Sequence, residues 1–459
     1  MKCIKIIFTV LFAIILLIPI AAFNFDEDAV SAIDNRQLAQ NPLEADGDLT
    51  QNIQDYVNDR IGLRDEMILA YTLLNDRLFD KMVHPSYVYG KEGYVFGAGL
   101  DVETQYTEFH EAFADMVKKI QDYCDERNVP FLFVFNPAKP AVMTEYVPTG
   151  INYNRDWVEQ FFDALDKRGV RYLDNTAVLR EKFEEGIMVF NQKYDANHWN
   201  DWGAYYGTQA MLEELRKDLP SIHITQTEEL DISETLETSL PVSEFPINEM
   251  VPAITVKTPV QNISGVYSKE LELNPSYKIF GYYVNQTRLE EGAPRALVFQ
   301  GSYMNVYGYK YMANSFGEYI HVHDYQNIMD FSYYYNIFQP DCVIFEVAEY
   351  TFLNMYFNYE SMCAMQLNPT LESAVSSYET QTDNLNTADI NVQTGEALTK
   401  IQWTSDSACQ YAWLTLDIPY DMKKTDIGYE VTIANTVYEQ YKDELSIWTL
   451  NGSSLTVYE

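Results

Sequence analysis

Short apolar runs alternate with helical stretches through the middle of the chain. Five runs are nearly continuous in apolar residues, at 129–137, 170–175, 296–302, 319–325 and 341–349. Stretches with helical spacing, such as 155–168 and 201–218, separate several of them. Apolar strands separated by helices are typical of a parallel sheet that is covered on both faces. The pattern therefore predicts an α/β fold with a central parallel sheet, and polar residues at the carboxyl ends of its strands are candidates for chemistry.

The flanking segments have different patterns. Residues 51–82 have apolar residues at helical spacing, 87–96 alternate as a hairpin does, and 107–127 form a further predicted helix. Residues 220–290 are rich in Thr, Glu and Pro with short β-like pieces, and they are predicted to be an insertion. We place the main domain at 51–370, a polar linker at 371–389 and a small β domain at 390–459.

The N-terminus has the pattern of an export signal or a membrane anchor. Lys2 and Lys5 precede an apolar run over residues 6–23, and an acidic segment follows. We predict a signal or anchor at 1–25 and a tether at 26–50. Cleavage after Ala22 remains an alternative, and in both cases the rest of the chain lies on the extracytoplasmic side.

Composition narrows the classes of partner. The 459 residues include 68 acidic and 31 basic ones, for a net charge of −37, which disfavours nucleic-acid binding. The four cysteines beyond residue 3 lack Cys-x-x-Cys spacing and are expected to be buried apolar residues. His321 and His323 share a strand face without a suitably spaced acidic or cysteine partner. No metal or cofactor is predicted.

Two short segments supply candidate chemistry. Asp195 and His198 are three residues apart before a predicted helix, so the carboxylate could orient the imidazole as a base; a helix-capping aspartate beside an exposed histidine is the alternative. Ser302 follows a buried strand and Gly301, which we expect to permit a sharp turn into a helix. A capping serine at an ordinary turn is the alternative there.

Together these segments resemble the SGNH hydrolase superfamily in a permuted order. The order is similar to that of polysaccharide O-acetyltransferases related to the alginate acetylation proteins AlgJ and AlgX, and to that of the neighbouring DHHW family. The stretches that carry the resemblance span roughly residues 50–365: YVNDRIGLRDEM (56–67), YGKEGYVFG (89–97), FNPAKPAVMTEYVP (135–148), DANHWNDWGA (195–204), VFQGSYMN (298–305) and PDCVIFEVAE (340–349).

The resemblance implies a three-layer SGNH-like fold and roles for particular residues. Ser302 would be the nucleophile, His198 its base and Asp195 the carboxylate that orients the base. Gln300 and Gly301 replace the glycine and aspartate that precede the serine in ordinary SGNH enzymes, and Ala196 stands where the alginate proteins have their aspartate. The candidates for the oxyanion hole or for substrate contact are Asn136, Gly301, Tyr303, Asn191, Lys139 and Trp199, although packing is the commoner role of such a tryptophan and pairing is as plausible for the lysine.

The resemblance also implies a function. We expect an extracytoplasmic enzyme that transfers an acyl group, most simply acetyl, to hydroxyls of a cell-surface or exported polysaccharide. Its acyl donor would come through a membrane-bound O-acyltransferase (MBOAT-like) partner. Two alternatives remain open from the residues alone: a carbohydrate acetylesterase with the same triad, and a non-catalytic glycan-binding or scaffold protein on a degenerate SGNH fold.

Overall fold

A computed structural model describes residues 2–26, 29–31, 36–45, 47–79, 81–82, 86–100, 105–241, 245–406 and 409–459. Parts of the predicted tether (26–50) and of the predicted insertion (220–290) lie outside these residues. The α-helices are α1 (Lys2–Ala21), α2 (Leu49–Arg60), α3 (Arg64–Phe79), α4 (Glu108–Glu126), α5 (Lys139–Val142), α6 (Asp156–Arg168), α7 (Thr176–Glu184), α8 (Asp201–Arg216), α9 (Ser264–Tyr267), α10 (Gln286–Glu290), α11 (Tyr309–Ser315), α12 (Phe331–Phe338), α13 (Tyr359–Ala364), α14 (Leu371–Ser377) and α15 (Asn435–Tyr441).

The strands follow the predicted alternation through the main domain. They are β1 (Val30–Ser31), β2 (Arg36–Gln37), β3 (Tyr87–Tyr89), β4 (Val95–Gly97), β5 (Phe131–Asn136), β6 (Tyr172–Asp174), β7 (Leu230–Ser239), β8 (Pro246–Val256), β9 (Gln261–Asn262), β10 (Phe280–Val284), β11 (Arg295–Gln300), β12 (Glu318–His323), β13 (Cys342–Ala348), β14 (Thr380–Asp383), β15 (Ile390–Thr394), β16 (Leu398–Thr404), β17 (Tyr411–Thr415), β18 (Pro419–Asp421), β19 (Lys423–Thr425), β20 (Gly428–Ala434), β21 (Ser446–Asn451) and β22 (Ser454–Tyr458).

The central sheet has seven strands in the order β6-β5-β13-β11-β12-β10-β9. The five strands predicted from the apolar runs pair in parallel. Strands β10 and β9 extend the sheet in antiparallel fashion beyond β12. The prediction of an α/β fold with a central parallel sheet is confirmed, and the antiparallel edge is an addition to it.

Side chains of the sheet alternate between two cores. On β5, Phe131, Phe133 and Phe135 point into one buried cluster with α4, α6 and α12, whereas Leu132 and Val134 point into the other. The second cluster contains residues of α8 and α11. Both faces are therefore covered, as the continuous apolar runs require, and the architecture has three layers.

Two segments differ from their predicted roles. The span 220–290 includes the hairpin β7–β8, but also β9 and β10, which belong to the central sheet. The predicted linker 371–389 contains α14 and β14. Leu371 and Ala374 of α14 pack against Trp413, and β14 pairs in parallel with β22. The sequence did not indicate these roles because both segments make their contacts with distant strands.

The C-terminal residues form two facing sheets. One has the order β14-β22-β21-β17-β18 and the other β15-β16-β20-β19. Their inward side chains share a cluster that includes Ile401, Leu414, Val431 and Ile447. The alternating short strands of 390–459 thus correspond to a β sandwich.

Helix α1 stands outside these cores. Its segment Ile4–Ala21 has a mean hydropathy of 2.8, is long enough to cross a membrane, and contacts no core of the protein. Such a helix fits a signal anchor or a signal peptide.

Candidate active site

The carboxyl ends of the parallel strands meet at one edge of the sheet. Asn136 at the end of β5 is in register with Ala348 at the end of β13. Gln300 at the end of β11 is in register with His323 of β12. Ser302 comes two residues after the end of β11, and Glu349 comes directly after β13. These strand ends bring polar residues that are far apart in sequence to one place.

Asp195 and His198 form a compact turn before α8. Asp195 has a φ of +53°, in the left-handed region that aspartate tolerates better than most residues. Its Oδ1 accepts hydrogen bonds from the backbone N–H of His198 at 3.1 Å and of Asn197 at 3.4 Å. The cap of α8 is Asn200, whose Oδ1 accepts the N–H groups of Trp202 and Gly203. Asp195 is therefore not needed as a helix cap and is available to His198.

A continuous line of hydrogen bonds joins Asp195, His198 and Ser302. His198 Nδ1 lies 2.8 Å from Asp195 Oδ1 and 2.9 Å from Oδ2. His198 Nε2 lies 2.8 Å from Ser302 Oγ. With Nδ1 protonated and bonded to the carboxylate, Nε2 is left as the acceptor for the serine proton.

Asp195 is held in its ionised form. Burial acts to raise the pKa of Asp195, but the charge and hydrogen bonds of His198 and the N–H of Asn197 outweigh it and leave the pKa below its usual value. An ionised carboxylate at this position favours the imidazole tautomer that is protonated at Nδ1, and it would stabilise an imidazolium if His198 took up a second proton.

Ser302 lies at the start of a helical segment. The segment runs from residue 302 through a π-helical turn at Met304–Gly308 into α11. The first N–H groups of a helix have no intrahelical acceptor and favour an oxyanion. The N–H of Gly301 is directed elsewhere, to Glu346 Oε2 at 2.9 Å. The backbone donors nearest the reacting oxygen therefore begin at Ser302 itself.

Tyr350 is a second neighbour of the serine, and the motifs did not reveal it. Its Oη lies 3.1 Å from Ser302 Oγ, and 37% of the residue is exposed, so it borders the open side of the site. Burial of the hydroxyl end raises the pKa of Tyr350, which keeps the phenol protonated. Because Ser302 Oγ donates to His198, the phenol is the donor in its own bond to Oγ. Its position two residues after the end of β13 was the available signal.

A buried carboxylate supports the turn that carries Ser302. Glu346 Oε2 accepts the Gly301 N–H, and Oε1 accepts Asn136 Nδ2 at 2.6 Å. Asn136 Oδ1 in turn accepts Asn175 Nδ2 at 2.8 Å. Burial, together with the nearby charge of Asp324, raises the pKa of Glu346 to about 8. Asn136, our candidate side-chain donor to the oxyanion, is fully buried in this network, and we assign it to support of the turn.

Three candidates for the oxyanion hole or for substrate contact are buried and make hydrogen bonds within the protein. Tyr303 is fully buried, and its Oη donates to Pro137 O at 3.0 Å and Asn197 O at 2.7 Å. Trp199 is fully buried and donates from Nε1 to Tyr303 O at 3.0 Å. Asn191 Oδ1 accepts Asn200 Nδ2 at 3.1 Å. These contacts hold the His198 turn and leave no exposed face for a sugar ring.

Two further expectations are not met: that Lys139 contacts substrate, and that the turn at Gly301 requires a glycine. Lys139 is completely buried, and its Nζ donates to Val95 O at 2.7 Å and Gln192 O at 3.1 Å. Burial lowers the pKa of Lys139 to about 7. Contact with an anionic substrate would break these bonds. A Cβ at Gly301 would meet only ordinary contacts, beginning at 3.7 Å from Asp324, so the turn does not require glycine on steric grounds.

The loop before Asp195 is fixed by a residue of the β7–β8 hairpin. Glu249 Oε1 accepts the N–H of Gln192 at 2.6 Å, and Oε2 accepts those of Lys193 at 2.9 Å and Tyr194 at 2.6 Å. No local sequence signal indicates this contact, because Glu249 lies more than fifty residues downstream. Among the described residues, no group of three or more His, Cys, Asp or Glu is placed to hold a metal ion.

Comparison with known families agrees with the resemblance seen in the sequence. Residues 88–242 match a family described as the SGNH hydrolase-like domain of the acetyltransferase AlgX. The predicted similarity to SGNH-like acetyltransferases is confirmed. The matched segment contains Asp195 and His198, while Ser302 and Tyr350 lie beyond it. No curated protein matches the chain significantly.

Several solved structures are similar to the chain at low sequence identity. Bacillus cereus PatB1 with a sulfonyl adduct has 17% identity, covers 60% of this chain and 98% of its own, and has a TM-score of 0.45. A DHHW family protein from Eubacterium siraeum has 14% identity, covers 63% of this chain and 98% of its own, and has a TM-score of 0.43. The O-acetyltransferase domain of Pseudomonas putida AlgJ has 14% identity, covers 63% of this chain and 95% of its own, and has a TM-score of 0.41.

Proposed function

We propose that this chain transfers an acyl group, most simply acetyl, from a donor to a hydroxyl group of a cell-surface or exported polysaccharide. The observation that carries the proposal is the hydrogen-bonded line Asp195–His198–Ser302, with 2.8 Å between His198 Nε2 and Ser302 Oγ. A protein that only binds glycans has no need for this geometry. The match of residues 88–242 to an SGNH-like acetyltransferase domain supports acetyl as the group that is transferred.

The first half of the reaction forms an ester on the enzyme. His198 Nε2 takes the proton of Ser302, and Oγ attacks the carbonyl carbon of the donor. The tetrahedral intermediate collapses when the donor's leaving group departs with the proton from His198. Ser302 then carries the acyl group, and the imidazole is neutral again.

The second half transfers that group to the sugar. A sugar hydroxyl gives its proton to His198 Nε2, and its oxygen attacks the acyl carbon of the Ser302 ester. When the C–O bond to Ser302 breaks, Oγ recovers the proton from His198, and the sugar leaves as an ester. Each half passes through an oxyanion, for which we assign the Ser302 N–H and the Tyr350 phenol as donors. A donor 3.1 Å from Oγ also lies within reach of an oxygen on the carbon bonded to Oγ.

The N-terminus supports an extracytoplasmic location. An exposed apolar helix of this length fits an anchor or a signal peptide ahead of the catalytic domain. Acetyl-CoA is confined to the cytoplasm, so the proposal includes a membrane-bound O-acyltransferase partner as the source of acyl groups. A carbohydrate acetylesterase differs only in using water as the acceptor.

The test is acyl-enzyme formation followed by transfer. The full chain in detergent is incubated with 4-nitrophenyl acetate, and the release of nitrophenol and the acetylation of the Ser302 peptide are followed. Ser302→Ala should lower turnover by about 10³-fold or more. Ser376→Ala, an exposed serine of α14, is the matched control and should leave turnover unchanged. Equal rates for wild type and Ser302→Ala would rule out Ser302 as the nucleophile.

An acceptor experiment separates transferase from esterase. Oligosaccharides are added at a fixed donor concentration, and acetylated sugar and free acetate are measured. A transferase gives acetylated sugar at the expense of free acetate. If only acetate forms with every acceptor tried, while Ser302 is still acetylated, the esterase function replaces the transferase function.

A further inference from the structure

Helix α3 has apolar residues on two opposite faces. Leu69 and Leu73 pack against a buried cluster of the catalytic domain, and Thr72 between them is fully buried. The other face is exposed, with Met67, Tyr71, Leu74 and Leu78 between 45% and 63% accessible. Their spacing of four, three and four residues places them on one side of the helix. A helix that is apolar on both sides needs a second apolar environment.

Helix α2 carries two further exposed apolar residues. Ile53 and Val57, one turn apart, are each 46% accessible. We name the set Ile53, Val57, Met67, Tyr71, Leu74 and Leu78 the exposed α2–α3 face. Isolated exposed apolar residues are ordinary, but six on two consecutive helices are typical of a surface that contacts something apolar.

The junction between α2 and α3 is attached to the end of α1. The N–H of Gly62 donates to Pro19 O at 2.9 Å, and a Cβ on Gly62 would lie 2.3 Å from Ala22 O. The N–H of Asn24 donates to Arg60 O at 2.8 Å. Glycine is therefore required where the junction meets the last turn of α1.

Arg60 strengthens this attachment from inside. It is almost completely buried, and its guanidinium donates to Ala39 O at 2.8 Å and Asp26 O at 2.5 Å. The point where α1 would leave a bilayer is thus also the point from which α2 and α3 diverge. An α3 of 16 residues extends about 24 Å from that point.

We propose that the exposed α2–α3 face lies in the interfacial layer of the lipid bilayer, beside the point where α1 leaves the membrane. Apolar contact must supply the attraction, because the chain's net charge of −37 gives no overall pull toward anionic lipids. The exposed α2–α3 face should therefore contact the boundary between headgroups and acyl chains, and it should do so in zwitterionic as well as anionic membranes.

This contact would place the catalytic turn close to the membrane. The buried face of α3 packs on the cluster that contains Ala196, which lies between Asp195 and His198. Helix α3 and this cluster then lie between the bilayer and the turn. Such a position suits an acyl donor supplied at the membrane; that consequence rests on the proposed function, whereas the membrane contact does not.

Depth-dependent fluorescence quenching tests the contact in the full chain. Wild type, Leu74→Trp and Ile427→Trp are reconstituted in phosphatidylcholine vesicles, with and without bromine on the acyl chains, and the emission of the six native tryptophans is subtracted. Ile427, 60% accessible in the C-terminal sandwich, is the matched apolar control. Brominated lipid should lower the added emission of Leu74→Trp by about twofold or more and leave that of Ile427→Trp nearly unchanged. Tyr71→Trp, a more conservative change on the same face, should behave like Leu74→Trp.

Two results would overturn the proposal. The first is an added emission of Leu74→Trp and Tyr71→Trp that brominated lipid does not quench. The second is a blue shift of that emission that depends on protein density in the vesicles and not on the lipid, which would mean that a second copy covers the face. Neither result bears on acetylation of Ser302, so failure here is distinguishable from failure of the proposed function.

Discussion

Buried Glu346 makes the stability of the catalytic domain dependent on pH. Its two carboxyl oxygens accept hydrogen bonds from Gly301 N–H and Asn136 Nδ2. Asp324, fully buried and itself with a raised pKa because of burial, faces the same turn. The perturbation is Glu346→Gln, which keeps the size of the side chain and an oxygen for Gly301 but removes the titration.

The magnitude follows from the pKa of Glu346. It is raised from 4.5 to about 8 by burial and by Asp324. A difference of about 3.5 pH units at about 1.4 kcal/mol each is about 5 kcal/mol, as an order of magnitude. Between these values the unfolded chain releases the proton and the folded chain keeps it, so the free energy of unfolding falls as pH rises. The stabilising contribution of the neutral carboxyl is complete below pH 4.5 and is lost through about pH 8.

Hydrogen exchange of the β11 peptide measures this loss in the full chain. The central strands of a domain exchange mainly through its unfolding, so protection of β11 reports the stability of the catalytic domain. Wild type and Glu346→Gln are compared at the same pH, so that intrinsic exchange rates cancel. Wild type should lose protection relative to the variant by several kcal/mol between pH 5 and pH 8. A constant difference between the two proteins across this range would refute the reasoning.

Three further changes probe the site itself. Asp195→Asn should lower kcat by about 10⁴-fold, because the amide stabilises the wrong imidazole tautomer, and unchanged ester turnover would contradict the triad. Tyr350→Phe should lower kcat by about 10- to 10³-fold with little change in KM, as expected for a donor to the oxyanion; an effect confined to KM would assign it to ground-state binding. Glu249→Gln should lower kcat by about tenfold or more, because three N–H groups before Asp195 lose a shared carboxylate, with Glu234→Gln, an exposed residue of the same hairpin, as control.

The parallel strands and the two segments of the candidate site could be predicted because their signals are local. Five apolar runs between helices identify strands of a covered sheet. Because sites in such sheets lie at the carboxyl ends of the strands, Ser302 could be placed at that edge of the sheet. The turn of Asp195 and His198 depends on residues within four positions of each other. The hairpin at 87–96 and the helix at 107–127 were also found from short-range spacing.

What could not be predicted depends on contacts between distant segments. β10 falls in a segment predicted to be a β-like piece of an insertion, but it belongs to the central sheet because its backbone pairs with β12. Buried Lys139 looked like a substrate ligand because the sequence gives no sign of the carbonyl groups that surround it. Cys363 is exposed, whereas the other three cysteines beyond residue 3 are buried as expected. In each case the decisive partner lies more than thirty residues away, or the outcome depends on which face of an element is covered.

Three glutamates explain how the site keeps its geometry despite its unusual turn sequence. Glu346 accepts the N–H of Gly301, Glu349 accepts that of Ala138 at 3.0 Å, and Glu249 accepts those of the residues before Asp195. Each glutamate comes from a different element than the loop it holds. The turn before Ser302 is therefore held by Glu346 from a neighbouring strand and not by its own glycine. The replacement of the usual Gly-Asp by Gln300–Gly301 is thus compatible with an ordered Ser302, because Glu346 holds Gly301 from outside the motif and Gln300 Nε2 donates to Asn305 Oδ1 at 2.8 Å.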